Sequence, residues 1–133
     1  GAPAAEPVLV AVLGGPAPAL ARVVLQAVSV RGSPALAEAV AGALRAHDDW
    51  GVRALAARAL AGVESPEALD ALVAAVSGDT HAVVRDAAAL ALAPLVSSST
   101  SAVSALCLAQ ASDEEPAVRA RAGAALGDLV CPR

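Results

Sequence analysis

The sequence predicts an all-α fold, an α-solenoid of four stacked helix pairs with about eight helices. Three observations predict it. First, a Val-Arg dipeptide recurs at Val52-Arg53, Val84-Arg85 and Val118-Arg119, spaced by 32 and 34 residues, and stepping back 31 from Arg53 lands on Arg22. The surroundings share one frame: Ala56, Ala88 and Ala122 stand three places after the last three arginines, and Leu60, Leu92 and Leu126 stand seven after. Leu9, Val40, Leu72 and Leu106 stand thirteen places before the four arginines. Second, apolar residues between these marks recur at helical spacing, as in Leu69, Leu72, Val73 and Val76. Third, 38 alanines allow helix backbones to approach closely, so a core can close with Trp50 as the sole aromatic residue.

Each repeat reads as two helices joined by a short turn. The pairs are expected at 7–14 and 18–30, 34–46 and 50–63, 66–77 and 81–96, and 101–111 and 115–130, giving repeats of approximately 7–31, 33–63, 65–96 and 99–130. Residues 1–6 and 131–133 are left as tails. The first helices open at Pro7, at Ser33-Pro34, at Ser65-Pro66 before Glu67, and at Thr100-Ser101, residues suited to a helix start. Gly14-Gly15-Pro16 turns the first pair; His47-Asp48-Asp49, Gly78-Asp79-Thr80 and Ser112-Asp113-Glu114-Glu115 turn the other three. The second helices carry the Val-Arg and a stripe such as Val118, Ala122, Ala125, Leu126 and Leu129.

Composition narrows the function classes. A hydrophobic fraction of 57% with 17% charged residues excludes disorder. Net charge is −4 and there is no Lys, which argues against nucleic acid, whose phosphates need a clustered basic surface. Ile, Asn, Met, Phe and Tyr are absent as well, a usage that points to a GC-rich bacterial genome. Mean hydropathy of +0.64 raises the question of a membrane span. The longest charge-free stretch, Ala87 to Ser112, is broken by Pro94 and by the run Ser97 to Ser101, leaving lengths suited to buried helices. No secretory signal is visible at the start, and Gly1-Ala2-Pro3 reads as a processed or excised end.

The frame of an Asp, an Arg six residues on, spaced Ala and a closing Leu resembles HEAT repeats, and most of all the short bacterial kind related to phycobilisome-lyase repeats. It is carried by Asp79–Arg85–Ala88–Leu92 and Asp113–Arg119–Ala122–Leu126. At Arg53 the Asp is replaced by His47, and at Arg22 by Pro16. The tetratricopeptide aromatics and the ankyrin Thr-Pro-Leu-His signature are missing. The resemblance implies a ladder in which Arg53, Arg85 and Arg119 bind carboxylates such as Asp79 and Asp113 in the inter-helix turns. A planar guanidinium fork suits that role. For Arg85 the first candidate partner is Asp79 and the second is Asp113 of the next repeat.

Catalysis needs convergent titratable groups, and none is legible here, so no catalytic, cofactor or metal residues are expected. His47 and His81 lie in turns at roughly equivalent places and read as turn residues. Asp113-Glu114-Glu115 reads as a solvated turn before a helix N-terminus. Cys107 and Cys131 read chiefly as two free thiols in a reducing compartment, with a disulfide the lesser alternative, and a cytoplasmic protein is expected. Trp50, Arg58, Asp86, Arg121 and Asp128 lie off the apolar stripe and form a candidate partner-binding face. The expected role is a non-enzymatic scaffold for another protein or an extended peptide. The alternative is a subunit of a lyase or cofactor-attaching enzyme of the phycobilisome-lyase type. The apolar helix at 7–14 is expected to be covered by a second copy of the chain or by a continuation of the array.

Overall fold

A computed structural model describes residues 5–132 of the chain. The processed end expected at Gly1-Ala2-Pro3, most of the tail expected at 1–6, and Arg133 lie outside the described residues. The described residues form eight helices and no strand: α1 Glu6–Gly14, α2 Pro18–Ala27, α3 Pro34–Ala46, α4 Trp50–Ala59, α5 Pro66–Gly78, α6 Ala82–Leu92, α7 Thr100–Ser112 and α8 Pro116–Leu126.

Local chemistry sets the helix starts. Ser33, Ser65 and Ser99 stand in extended backbone before α3, α5 and α7, and their hydroxyls accept the amides of Leu36, Ala68 and Ala102. Each such cap is worth about 1 kcal/mol. Pro34 and Pro66 take the first helical position, where the missing N–H costs nothing. The side chain of Asp49 accepts the Val52 amide at the head of α4, and the His81 imidazole accepts the Val83 amide at the head of α6.

The second helices end sooner than their apolar stripes suggest. They stop at Ala27, Ala59, Leu92 and Leu126, where the sequence pattern runs on to 30, 63, 96 and 130. The causes are local. Gly62 after α4 and Gly127 after α8 adopt φ of +74° and +60°, a left-handed conformation that ends the helical path. Pro94 has no N–H to continue α6, so Ala93–Leu95 tightens into a 3-10 turn. The stripe residues Val63 and Leu95 therefore pack against the core from linkers.

The helices stack in two rows. α1, α3, α5 and α7 pack in succession along one row, α2, α4, α6 and α8 along the other, and each first helix also packs on its own second helix. One continuous core runs between the rows. Val40, Leu44, Leu72, Val76 and Leu106 fill it from the first helices, and Val52, Val84 and Leu92 from the second, with Leu60 just beyond the end of α4. Between them Ala56, Ala57, Ala88, Ala89 and Ala122 are wholly buried. Truncating one of the buried leucines to Ala is expected to cost about 2–5 kcal/mol, because neighbours as small as Ala cannot fill the hole. At the first end α1 buries Leu13, whereas Val8 keeps 63% of its surface exposed.

The two cysteines correct the free-thiol reading. Cys107 on α7 and Cys131 in the segment after α8 are joined in a disulfide. The turn at Gly127 folds that segment back towards α7, which brings the two residues together across a separation of 24. The inference of a reducing compartment rested on free thiols and falls with them. Among the described residues, no helix is long and apolar enough to cross a membrane.

Loss of this bond should be measurable. Closing a loop of 24 residues restricts the unfolded chain by up to about 3 kcal/mol. Cys131→Ser should therefore lower the urea midpoint without changing the helical circular dichroism signal. An unchanged midpoint would show that the bond does not constrain the chain.

Candidate functional site

The charged residues of the turns form an inter-repeat chain of ion pairs. The Arg53 guanidinium donates from Nε and Nη2 to Asp79 at 2.9 and 3.2 Å, and Arg85 makes the same two bonds to Asp113 at 2.9 and 3.2 Å. Nη1 turns the other way in both, towards the carbonyls of the arginine's own turn: His47 and Asp48 for Arg53, and Asp79 for Arg85. Arg22 completes a third rung through Nη2 to Asp49 at 2.7 Å. Each carboxylate thus belongs to the repeat after its arginine.

Asp79, the first candidate partner for Arg85, does not pair with it. Asp79 offers Arg85 only its main-chain carbonyl, and the carboxylate is held elsewhere. Its Oδ1 accepts the His81 amide two residues on, which aims the carboxylate at Arg53 of the preceding repeat. Asp113 is held in the same way by the Glu115 amide and faces Arg85. One aspartate therefore caps its own turn and binds the neighbouring repeat.

In the second repeat that double task is divided. His47 stands at the Asp position, and its Nδ1 accepts the Asp49 amide. Asp49 then supplies the carboxylate, both to Arg22 and to the Val52 amide. This arrangement fixes the His47 proton on Nε2, and that atom is buried without a partner among the described residues. Arg22 holds its place in the sequence frame, but Asp49 does not stand out in it, because this acid lies four residues before Arg53 and not six.

Burial grades the rungs. The Arg85 and Asp113 side chains keep 8% and 7% of their surfaces exposed, against 48% and 26% for Arg22 and Asp49. Burial pushes the Asp113 carboxyl up, but the Arg85 guanidinium and the Glu115 amide outweigh it and hold the group below the ordinary carboxylate range. The Arg85 guanidinium is raised by its bonds to Asp113 against the opposing effect of burial. Asp49 is lowered by the Arg22 hydrogen bond and by the Val52 amide. Arg119 donates Nη1 to the Asp113 carbonyl at 2.7 Å, as its counterparts do to their own turns.

The five residues of the candidate partner-binding face are dispersed. Trp50 opens α4 and stacks its ring on His81 at a centroid distance of 4.0 Å and 9° between planes. Asp86 on α6 and Arg121 on α8 pair across the second-helix row at 3.1 Å. Beside that pair lies an open groove lined by Val83, Ala117, Ala120 and Ala124, with Glu115 at its edge. Arg58 is exposed on α4. Asp128 is not on that face of α8, because the helix ends at Leu126 and Gly127 redirects the chain. Among the described residues, no three His, Cys, Asp or Glu side chains converge as metal ligands.

A family model described as HEAT repeats matches residues 6–93, about two thirds of the chain, and so takes in the first three helix pairs. No curated protein and no solved structure matches the chain. The fourth pair lies beyond the matched segment and is tied to the third by the same bidentate rung, Arg85 to Asp113.

Two outcomes follow for this rung. Arg85→Ala should cost about 3 kcal/mol, since it strands the Asp113 carboxylate, whereas Arg58→Ala on the open surface should change stability by less than about 0.5 kcal/mol. Equal melting temperatures for the two variants would contradict the rung's role. The pH dependence has a definite sign. The folded state lowers the Asp113 pKa, so its contribution is full above the unfolded value of about 3.9 and fades as pH falls through the folded value. Asp113→Asn should flatten the acid limb of a stability-against-pH curve, with urea midpoints as the readout.

Proposed function

Because the chain belongs to the HEAT-repeat family, we propose that it is a non-enzymatic scaffold that holds another protein, or an extended peptide segment, along its second-helix row. Family membership carries only the general expectation of protein interaction; the location comes from the surface. The observation that carries it is the α6–α8 groove, where Val83 remains 44% exposed beside the Asp86–Arg121 pair. An apolar floor with a polar rim is the composition of a protein-binding patch. Trp50, 47% exposed at the head of α4, adds an amphipathic ring to the same row of helices. Arg58 is a further candidate contact, and both signs of charge along the row fit a polypeptide partner better than a polyanion.

The finer alternative is a subunit of a phycobilisome-lyase-type enzyme. It rests on the likeness of the Asp79–Arg85–Ala88–Leu92 frame to those repeats and would require a bilin to bind. Visible absorbance that stays with the protein after incubation with a bilin and gel filtration would favour it over the scaffold reading. A cytoplasmic location, the expectation from the sequence, would require the Cys107–Cys131 bond to persist against a reducing pool, and direct fractionation tests it.

Site-specific photo-crosslinking tests the scaffold reading. A photoreactive residue at Val83 or Ala120 should form an adduct with a discrete polypeptide in extracts of the source cell, and Asp86→Arg should abolish that adduct. The control is Leu108, exposed on α7 of the other row. Adducts formed only at Leu108, or adducts at the groove indifferent to Asp86→Arg, would move the binding surface elsewhere.

A further inference from the structure

The turn of the second repeat carries a donor that the later turns lack. His47 stands where they have Asp79 and Asp113, and its Nδ1 accepts the Asp49 amide as those carboxylates accept the amides of His81 and Glu115. A carboxylate offers only acceptors, whereas the imidazole keeps an N–H at Nε2. Among the described residues that donor is buried without an acceptor. A buried donor left unpaired costs stability, and most such groups in folded proteins have a partner.

His47 forms part of the wall of a cleft of about 530 Å³ between the C-terminal halves of α1 and α3. That volume is ordinary for a small-molecule site. Val10, Leu13, Ala39, Ala43 and Ala46 give it an apolar lining, and Asp48 lies beside His47. The cleft exists because glycines border it: a Cβ at Gly14 or at Gly42 would meet nothing within 4 Å. In the repeat frame Gly14 stands where the next repeat has Arg45, and Gly42 stands where the third and fourth have Ala74 and Leu108. Gly42 also weakens α3, since glycine is a poor residue for a helix interior. Stability alone would have filled that position.

The polar groups of the cleft narrow the ligand class. His47 Nε2 needs an acceptor. Asp48 brings a carboxylate that makes no ion pair among the described residues. Both α1 and α3 end here, and a helix C-terminus is the negative end of its dipole. An anion would satisfy Nε2 and be repelled by the rest, while an ammonium group would suit Asp48 and leave Nε2 unpaired. A primary carboxamide answers both, with a carbonyl oxygen for Nε2 and N–H donors for Asp48. We propose that the α1–α3 cleft binds a small neutral molecule with an apolar body and a primary carboxamide, whose carbonyl oxygen accepts the His47 Nε2–H. The cleft and the α6–α8 groove share no residue, so neither proposal depends on the other.

The experiment follows the backbone amide resonances of the intact nitrogen-15-labelled chain during titration with hydrocinnamamide. Gly14, Gly15, Gly42 and Asp48 should shift saturably, while Ala120 and Ala124 of the other groove stay in place. Hydrocinnamate and phenylpropylamine keep the apolar body and change the polar group. Each should bind at least roughly tenfold more weakly, the effect of one lost hydrogen bond. Two variants locate the ligand. Gly42→Leu fills the cleft with the residue that the fourth repeat carries at that place, and should abolish the shifts while the melting temperature holds or rises. His47→Asp restores the residue of the later turns, which can still accept the Asp49 amide, so the fold should stand while hydrocinnamamide binds roughly tenfold more weakly. The absence of a saturable shift, equal binding of either analogue, or unchanged binding by either variant would overturn the site.

Discussion

The arginine that reaches forward to the next repeat's carboxylate is the constraint on which the rest of the structure depends. Helix pairs with alanine-rich faces have little side-chain relief with which to choose a register. A bidentate pair has it, because two parallel N–H···O bonds fix both distance and orientation. Arg53–Asp79 and Arg85–Asp113 share one geometry, and each sits where the turn of one repeat meets the turn of the next. The aspartates are locked in turn by the amides of His81 and Glu115, so each rung couples the folding of a turn to the docking of its neighbour. A buried ion pair is not in itself a large source of stability, since desolvating both groups costs much of what their attraction returns. Its use here is specificity of register, with the core providing the bulk of the burial.

That core works by closeness. Ala56, Ala57, Ala88, Ala89 and Ala122 on the second helices are fully enclosed, yet each removes little apolar surface from water. Alanine compensates by having the highest helix propensity and by losing no rotamer freedom when buried. The larger side chains, Leu60, Leu92 and Leu126, recur at one position in each of the last three repeats and fill the space the alanines leave. The serine caps at Ser33, Ser65 and Ser99 do for the helix starts what the rungs do for the turns.

Much of this was legible in the sequence because repetition multiplies weak signals. One Val-Arg means nothing; three at near-equal spacing, with Ala and Leu in step behind them, define both the helix pairs and the arginines of the ladder. What stayed hidden has physical causes. The direction of pairing was obscure because Asp79 is near Arg85 in sequence, while the amide of His81 turns its carboxylate towards Arg53. Asp49 is silent in the sequence frame because His47 takes over half of the aspartate's task and displaces the carboxylate by two residues. The sequence pattern runs past the ends of the second helices because Val63, Leu95 and Leu129 continue the apolar stripe from linker backbone that a glycine or proline has already bent. The Cys107–Cys131 bond needed the reversal at Gly127, and one glycine in an apolar tail does not announce its sign of φ. The partner face is the least legible part, because exposed residues obey no internal frame.

The most direct test of the central claim is a double-mutant cycle on the best-buried rung, with Arg85→Ala, Asp113→Ala and the double variant compared by urea denaturation. If the rung sets the register between the third and fourth repeats, each single change is costly and the two are strongly non-additive, with a coupling that approaches the cost of one single change, about 3 kcal/mol. The double variant should then melt close to the better of the two single variants. Additive losses with a coupling near zero would show that Arg85 and Asp113 act separately, and the stacking of these helix pairs would have to be explained by the alanine-rich core alone.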